Sequence, residues 1–107
     1  MALIKICGLK TVEAVDAALN AGADFVGFVM VRASPRFVAP EEAAPLIARA
    51  RGRARAVLLF ADAGDTEIAA LAAELEPDLI QLHGAETAHR VAEVRSLYGR
   101  PVIKAVG

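Results

Sequence analysis

Cysteine is almost missing from this sequence: Cys7 is the one thiol in 107 residues. No disulfide can close within the chain, which fits a reducing compartment, most simply the cytoplasm. Charge imbalance is also missing. Twelve Lys and Arg face 13 Asp and Glu, a formal net charge of -1. That argues against general nucleic-acid binding, which needs a basic excess to displace counterions from phosphates. Long apolar runs are absent as well. A bilayer-crossing helix needs ~18 apolar residues, whereas the longest candidate, Ala56–Ala61, has six. Met1-Ala2-Leu3-Ile4-Lys5 carries no charged leader before an apolar stretch, so it does not read as a secretory signal. No linker, charged tail or low-complexity segment interrupts the chain, which points to one structural unit.

What is present is apolar: 56% hydrophobic against 23% charged residues, enough for a core and too much for a disordered tail. Short apolar runs recur at Leu3–Cys7, Phe25–Met30, Ala56–Phe60, Leu79–His83 and Val102–Val106. Each has the length of a strand. Between them lie Ala-rich segments with helical stripes: Val12, Val15, Ala18 and Leu19; Leu46, Ile47 and Ala50; Ile68, Leu71, Ala72 and Leu75; Val91, Val94 and Leu97. Spacings of three and four put each set on one helix face. Thr11, Asp65 or Thr66, and Thr87 are expected N-caps. Pro40 suits a first turn, with Glu41 and Glu42 behind it, and Gly22, Gly52 and Gly99 sit where helices should stop. Pro45 should bend or delay the second helix.

The strand starts are 22, 31, 23 and 23 residues apart. Such a repeat describes parallel βα units, five strands alternating with four helices. Two architectures fit: a complete open sheet, or the first part of a (βα)8 TIM barrel, which typically takes ~250 residues. Length favours the open sheet; the strand faces favour the barrel. Alternation puts Lys5 and Cys7, then Gln81 and His83, then Lys104 on one face, opposite aliphatic neighbours. Two lysines, a glutamine and a histidine are costly to bury dry under helices, as a doubly wound sheet would require. In a barrel that face leads instead to a polar mouth at the C-terminal rim, with Cys7 and His83 at the strand ends. Residues 1–107 are therefore expected to be the N-terminal portion of an incomplete barrel.

Four segments resemble the phosphoribosylanthranilate isomerase family: Lys5-Ile6-Cys7-Gly8; Gly22-Ala23-Asp24 with Gly27-Phe28; Ser34-Pro35-Arg36; and Gln81-Leu82-His83-Gly84. Lys104-Ala105-Val106 matches the family's fifth strand. The resemblance implies a (βα)8 barrel of tryptophan biosynthesis. It implies an Amadori rearrangement of N-(5-phosphoribosyl)anthranilate without metal or organic cofactor. It assigns the general base to Cys7 and the grip on the anthranilate carboxylate to Arg36. Both assignments make chemical sense. A thiol of pKa about 8.5 is lowered by a nearby cation, and Lys5 or Lys104 would supply one. Arginine's planar fork holds a carboxylate by two hydrogen bonds. His83 and Gln81 would line the substrate cavity.

The family's general acid, an aspartate ending the sixth strand, and its phosphate-binding glycines have no counterpart here. Asp62 and Asp65 follow the third strand. The expectation is a chain inactive alone, whose open edges recruit a second copy. The alternatives are a non-catalytic half-barrel that self-associates, or a small flavodoxin-like binding module. Bland readings stay open for several residues. His83 could be a hydrogen-bonded core residue. Lys5 and Lys104 could be structural, paired to carboxylates beyond these residues. His89 reads as solvent-facing. Arg49, Arg51, Arg53 and Arg55 read as charge favourable to the C-terminus of the second helix.

Overall fold

Strands and helices alternate throughout a computed structural model of the chain, which describes residues 3–105. Their order is β1 (Lys5–Ile6), α1 (Val12–Asn20), β2 (Phe25–Val29), α2 (Pro40–Ala50), β3 (Arg55–Phe60), α3 (Asp65–Leu75), β4 (Leu79–Leu82), α4 (Ala88–Tyr98) and β5 (Val102–Lys104). Val106, expected to close the fifth strand, lies outside the described residues.

Local chemistry explains where the helices begin. The Thr11 hydroxyl accepts from the Ala14 amide, and the Thr87 hydroxyl accepts from the Arg90 amide. Each satisfies one of the donors a helix leaves open at its start. α3 departs from expectation: Gly64 caps it, and Asp65 lies inside the first turn. The Asp65 carboxylate pairs with Arg90 of α4 instead of capping its own helix. α2 starts at Pro40 and continues through Pro45, so Pro45 does not delay it. Pro45 is exposed, and water can reach the Glu41 carbonyl that loses its usual donor.

All five strands are parallel and hydrogen-bond in the order β1-β2-β3-β4-β5. The order never doubles back. A flavodoxin-like sheet reverses and carries helices on both faces. Here each crossover steps the same way, and α1 touches α2, α2 touches α3, and α3 touches α4. The helices thus line one face, the arrangement of a barrel wall.

Register identifies the two faces, because residues paired across parallel strands project to the same side. Phe28, Leu58, Ile80 and Val102 form one row, and Phe60, Leu82 and Lys104 the next. Their apolar members pack with Val15, Leu19, Leu46, Ile47, Ile68 and Val94 of the helices. Burying side chains of this size contributes roughly 1.5–3 kcal/mol each. The opposite face carries Lys5 and Phe25, then Gly27, Val57 and Leu79, then Val29, Leu59, Gln81 and Ile103.

This register corrects strand five. Lys104 pairs with Leu82 and belongs to the helix-side row, while Ile103 pairs with Gln81. Lys104 therefore does not share the inner face with Cys7. A strand of three paired residues beginning Val-Ile looks equally apolar in either phase, so alternation alone could not set it.

The strand starts are held by side chains bonding to backbone. Asp24 Oδ2 accepts from the Ile4 amide at 2.7 Å, and Asp78 Oδ2 accepts from the Ala56 amide at 2.8 Å. Each carboxylate reaches back to the preceding strand. Arg51 Nη2 donates to the Leu75 and Glu76 carbonyls. It thus serves the C-terminus of α3, not that of α2 as expected. Arg49 pairs with Asp16 of α1.

Candidate active site

At the other end of the sheet, two glycines bring chemistry-bearing side chains together. Cys7 follows β1, and its sulfur lies against Gly27 of β2. A Cβ on Gly27 would stand 2.6 Å from Cys7 Sγ and 3.3 Å from Cys7 Cα. Gly27 is buried on the face turned away from the helices, so the thiol points to that face and is half-buried.

Gly8 does the same for Arg36. Its φ of +79° suits glycine, and a Cβ there would stand 2.6 Å from Arg36 Cδ. The arginine stem therefore crosses the backbone next to Cys7. Its loop is anchored locally: the Arg36 amide donates to Ser34 Oγ at 3.1 Å, and Lys10 Nζ donates to the Pro35 carbonyl at 3.3 Å. Phe37 then bridges to Val29 in parallel. Cys7 and Arg36, distant in sequence, thus meet at one corner of the C-terminal rim.

His83 directly follows β4, with its backbone amide bonded to the Phe60 carbonyl at 2.8 Å. Its side chain is exposed, so it is not a core histidine. Gln81 is 7% exposed on the inner face, and its Oε1 has no hydrogen-bond partner among the described residues. Lys5 is exposed and pairs in register with Phe25. Among the described residues, the Cys7 thiol, the Arg36 guanidinium and the His83 ring make no hydrogen bond or ion pair. His89 is solvent-facing, with Glu93 one turn away.

Lys104 has a local partner. Its ammonium donates to the Gly84 carbonyl at 2.6 Å and to Glu86 Oε1 at 3.2 Å. It is paired within these residues rather than to carboxylates beyond them. Glu86 also accepts from the Gly84 amide at 2.8 Å and from the Asp62 amide at 2.7 Å. Asp62, at φ +53°, returns a bond by accepting from the Ala85 amide at 2.9 Å. Burial pushes the Glu86 carboxyl up, but the amides of Asp62, Glu86 and Gly84 with Lys104 outweigh it and hold the group below its ordinary range.

Sequence reasoning missed Glu86 and Asp62. The available signal was an acid two residues past Gln81-Leu82-His83-Gly84, beside the Thr87 cap. A cleft of about 490 Å³ opens at the strand starts, lined by Asp24, Arg51, Arg53, Arg55 and Asp78. It lies at the opposite end from Cys7. No group of three His, Cys, Asp or Glu able to hold a metal ion occurs among the described residues. No helix among them is long and apolar enough to cross a membrane.

Residues 4–107 match the family model described as N-(5'phosphoribosyl)anthranilate (PRA) isomerase. The chain belongs to this family. A curated N-(5'-phosphoribosyl)anthranilate isomerase of Azorhizobium caulinodans is 56% identical over 104 residues, covering 96% of this chain and 45% of that protein. The Rhizobium meliloti enzyme is 48% identical over 103 residues, covering 96% and 48%. A crystal structure of phosphoribosyl anthranilate isomerase with reduced 1-(o-carboxyphenylamino)-1-deoxyribulose 5-phosphate superposes with a TM-score of 0.92 at 31% identity. It covers 100% of this chain and 54% of that one. The Thermotoga maritima structure gives 0.88 at 33% identity, covering 100% and 51%. The chain thus spans about half the length of the relatives it matches.

Proposed function

We propose that these residues form the base-bearing half of an isomerase that converts N-(5'-phosphoribosyl)anthranilate to its 1-deoxyribulose 5-phosphate isomer, in tryptophan biosynthesis. The carrying observation is that Cys7 and Arg36 converge at one corner of the rim with both heads unengaged among the described residues. In this reading the sugar ring opens to an imine-like species. The Cys7 thiolate then takes the proton from C2, breaking the C–H bond, and the electron pair forms the enolamine. Tautomerisation gives the ketone. Lys5 stands two residues earlier on the same face. Arg36 holds the anthranilate carboxylate in a two-bond grip, and His83 and Gln81 line the cavity.

A general acid at the ring oxygen is also needed. Asp62, the nearest carboxylate after β3, is committed to the Ala85 amide. We assign that acid, and the phosphate-binding loops, to segments outside these 107 residues. Residues 1–107 are then the N-terminal portion of a TIM-barrel domain, and alone they are inactive. By themselves they are expected to pair with a second copy, because β1 and β5 are edges. Apolar groups stand open there: Leu3 is 70% exposed, Ile4 44% and Ile103 36%. Unpaired edges recruit other chains.

The test is a conversion assay with N-(5'-phosphoribosyl)anthranilate on two proteins. A full-length barrel carrying these residues as its first half should turn over, and the 107-residue chain should not. No conversion by the barrel would overturn the isomerase reading. Full conversion by the short chain would overturn its inactivity. Sedimentation of the short chain as a compact monomer at high concentration would overturn self-association.

A further inference from the structure

Glu86 is a charge in an unusual place. It lies in a loop, where carboxylates are normally solvated, yet its side chain is 3% exposed. A buried carboxylate is retained at a cost unless donors meet it. Here they come from three separate elements. The Asp62 amide reaches it from the loop after β3, the Gly84 amide from the loop after β4, and Lys104 from β5.

The group that these bonds fix most tightly is Gly84. Its amide is held by Glu86 and its carbonyl by Lys104. Its Cα face is covered by the Asp62 carboxylate, which lies 2.6–2.8 Å from where a Cβ would be. His83 immediately precedes it, with its own amide held by the Phe60 carbonyl. The backbone on both sides of the His83 side chain is therefore clamped, while the imidazole remains free at the mouth.

We propose that Glu86 is a positioning residue. Its buried carboxylate ties the loops after β3 and β4 to Lys104 and so sets His83 at the rim of the substrate cavity. What His83 meets there rests on the isomerase reading above. The clamp itself rests on hydrogen bonds within this chain. Gly84 contributes by lacking a side chain, and Asp62 by accepting a left-handed backbone that turns its amide toward Glu86.

The test uses a full-length barrel carrying these residues. Glu86→Gln keeps the shape and removes the charge. Amide hydrogen exchange at Gly84 and Asp62 should accelerate about tenfold or more, while Val57 and Leu58 in the centre of β3 keep their rates. KM for N-(5'-phosphoribosyl)anthranilate should rise about fivefold with kcat within about twofold. In a His83→Ala background, Glu86→Gln should add nothing further to KM, because it acts through His83. Lys104→Gln leaves Glu86 its backbone donors and should give the same pattern at smaller size. It also decides the matter if Glu86→Gln fails to fold.

Unchanged exchange at Gly84 in a folded variant would overturn the clamp. Equal KM penalties with and without His83 would overturn the positioning role. A barrel that shows the exchange pattern but converts no substrate would count against the isomerase reading and leave the clamp standing.

Discussion

The two ends of this sheet use charge in opposite ways. At the strand starts, the carboxylates of Asp24 and Asp78 and one guanidinium nitrogen of Arg51 are bonded to backbone amides and carbonyls. Those charges are occupied in holding register and closing a helix end. At the strand ends, Cys7, Arg36 and His83 have no side-chain partner among the described residues. Other groups there are internally satisfied: the Asp62–Glu86–Lys104 cluster, Lys10 on the Pro35 carbonyl, and Arg90 on Asp65. A polar group already bonded within the fold has little left to offer a ligand, whereas an unengaged one is available. The bonded charges at the strand starts therefore serve stability, while the unengaged side chains at the strand ends are the ones open to a ligand, the division that barrel architecture leads one to expect.

This contrast breaks most easily at Arg36. In a full-length barrel, Arg36→Met should raise KM by about 10–100-fold, the worth of a charge-assisted grip on a carboxylate. Thermal stability should not move. Steady-state kinetics and a melting curve read both, and an unchanged KM would remove the carboxylate assignment. Next in size is Gly27→Ala. The new methyl would meet Cys7 Sγ at 2.6 Å and its backbone at 3.3 Å, so either strand or thiol must shift. About 1–3 kcal/mol of stability should be lost in denaturant titration, the usual cost of overpacking, and turnover should fall with it.

Asp78→Ala probes the other end. It strips the Ala56 amide of its acceptor and should cost about 1–2 kcal/mol of stability, with kcat and KM unchanged. A loss of turnover without loss of stability would erase the distinction between the two ends. The smallest effect concerns pH. The folded Glu86 carboxyl lies below its ordinary value of 4.5, so its stabilising contribution is complete above that value. It is lost as pH falls through the lower folded value. Denaturant midpoints of the wild type and Glu86→Gln should therefore differ at neutral pH and converge in acid. A gap that widened on acidification would contradict the sign.

Much of the fold was legible in residue order. Five apolar runs, the threonines at positions 11 and 87 and the repeated βα spacing all correspond to observed elements. The phase of β5 was not legible, because Val102 and Ile103 are both β-branched and only cross-strand pairing chooses between them. Arg51 was misread for a related reason. Proximity along the chain pointed to α2, while its guanidinium reaches the end of α3. Within the candidate site, the Cys7–Gly8 and Ser34–Arg36 motifs could be read, but their meeting depends on the close approach that Gly8 and Gly27 permit. Glu86 was hidden because two of its three partners lie 24 residues upstream and 18 downstream. An acid beside a helix cap gives no local sign of them.

The most direct measurement is the turnover of Cys7→Ala in a full-length barrel carrying these residues. Loss of a general base should lower kcat by about 10²–10⁴-fold while KM stays within about twofold. A kcat equal to that of the unsubstituted protein would contradict the assignment of the proton-abstracting group to this thiol.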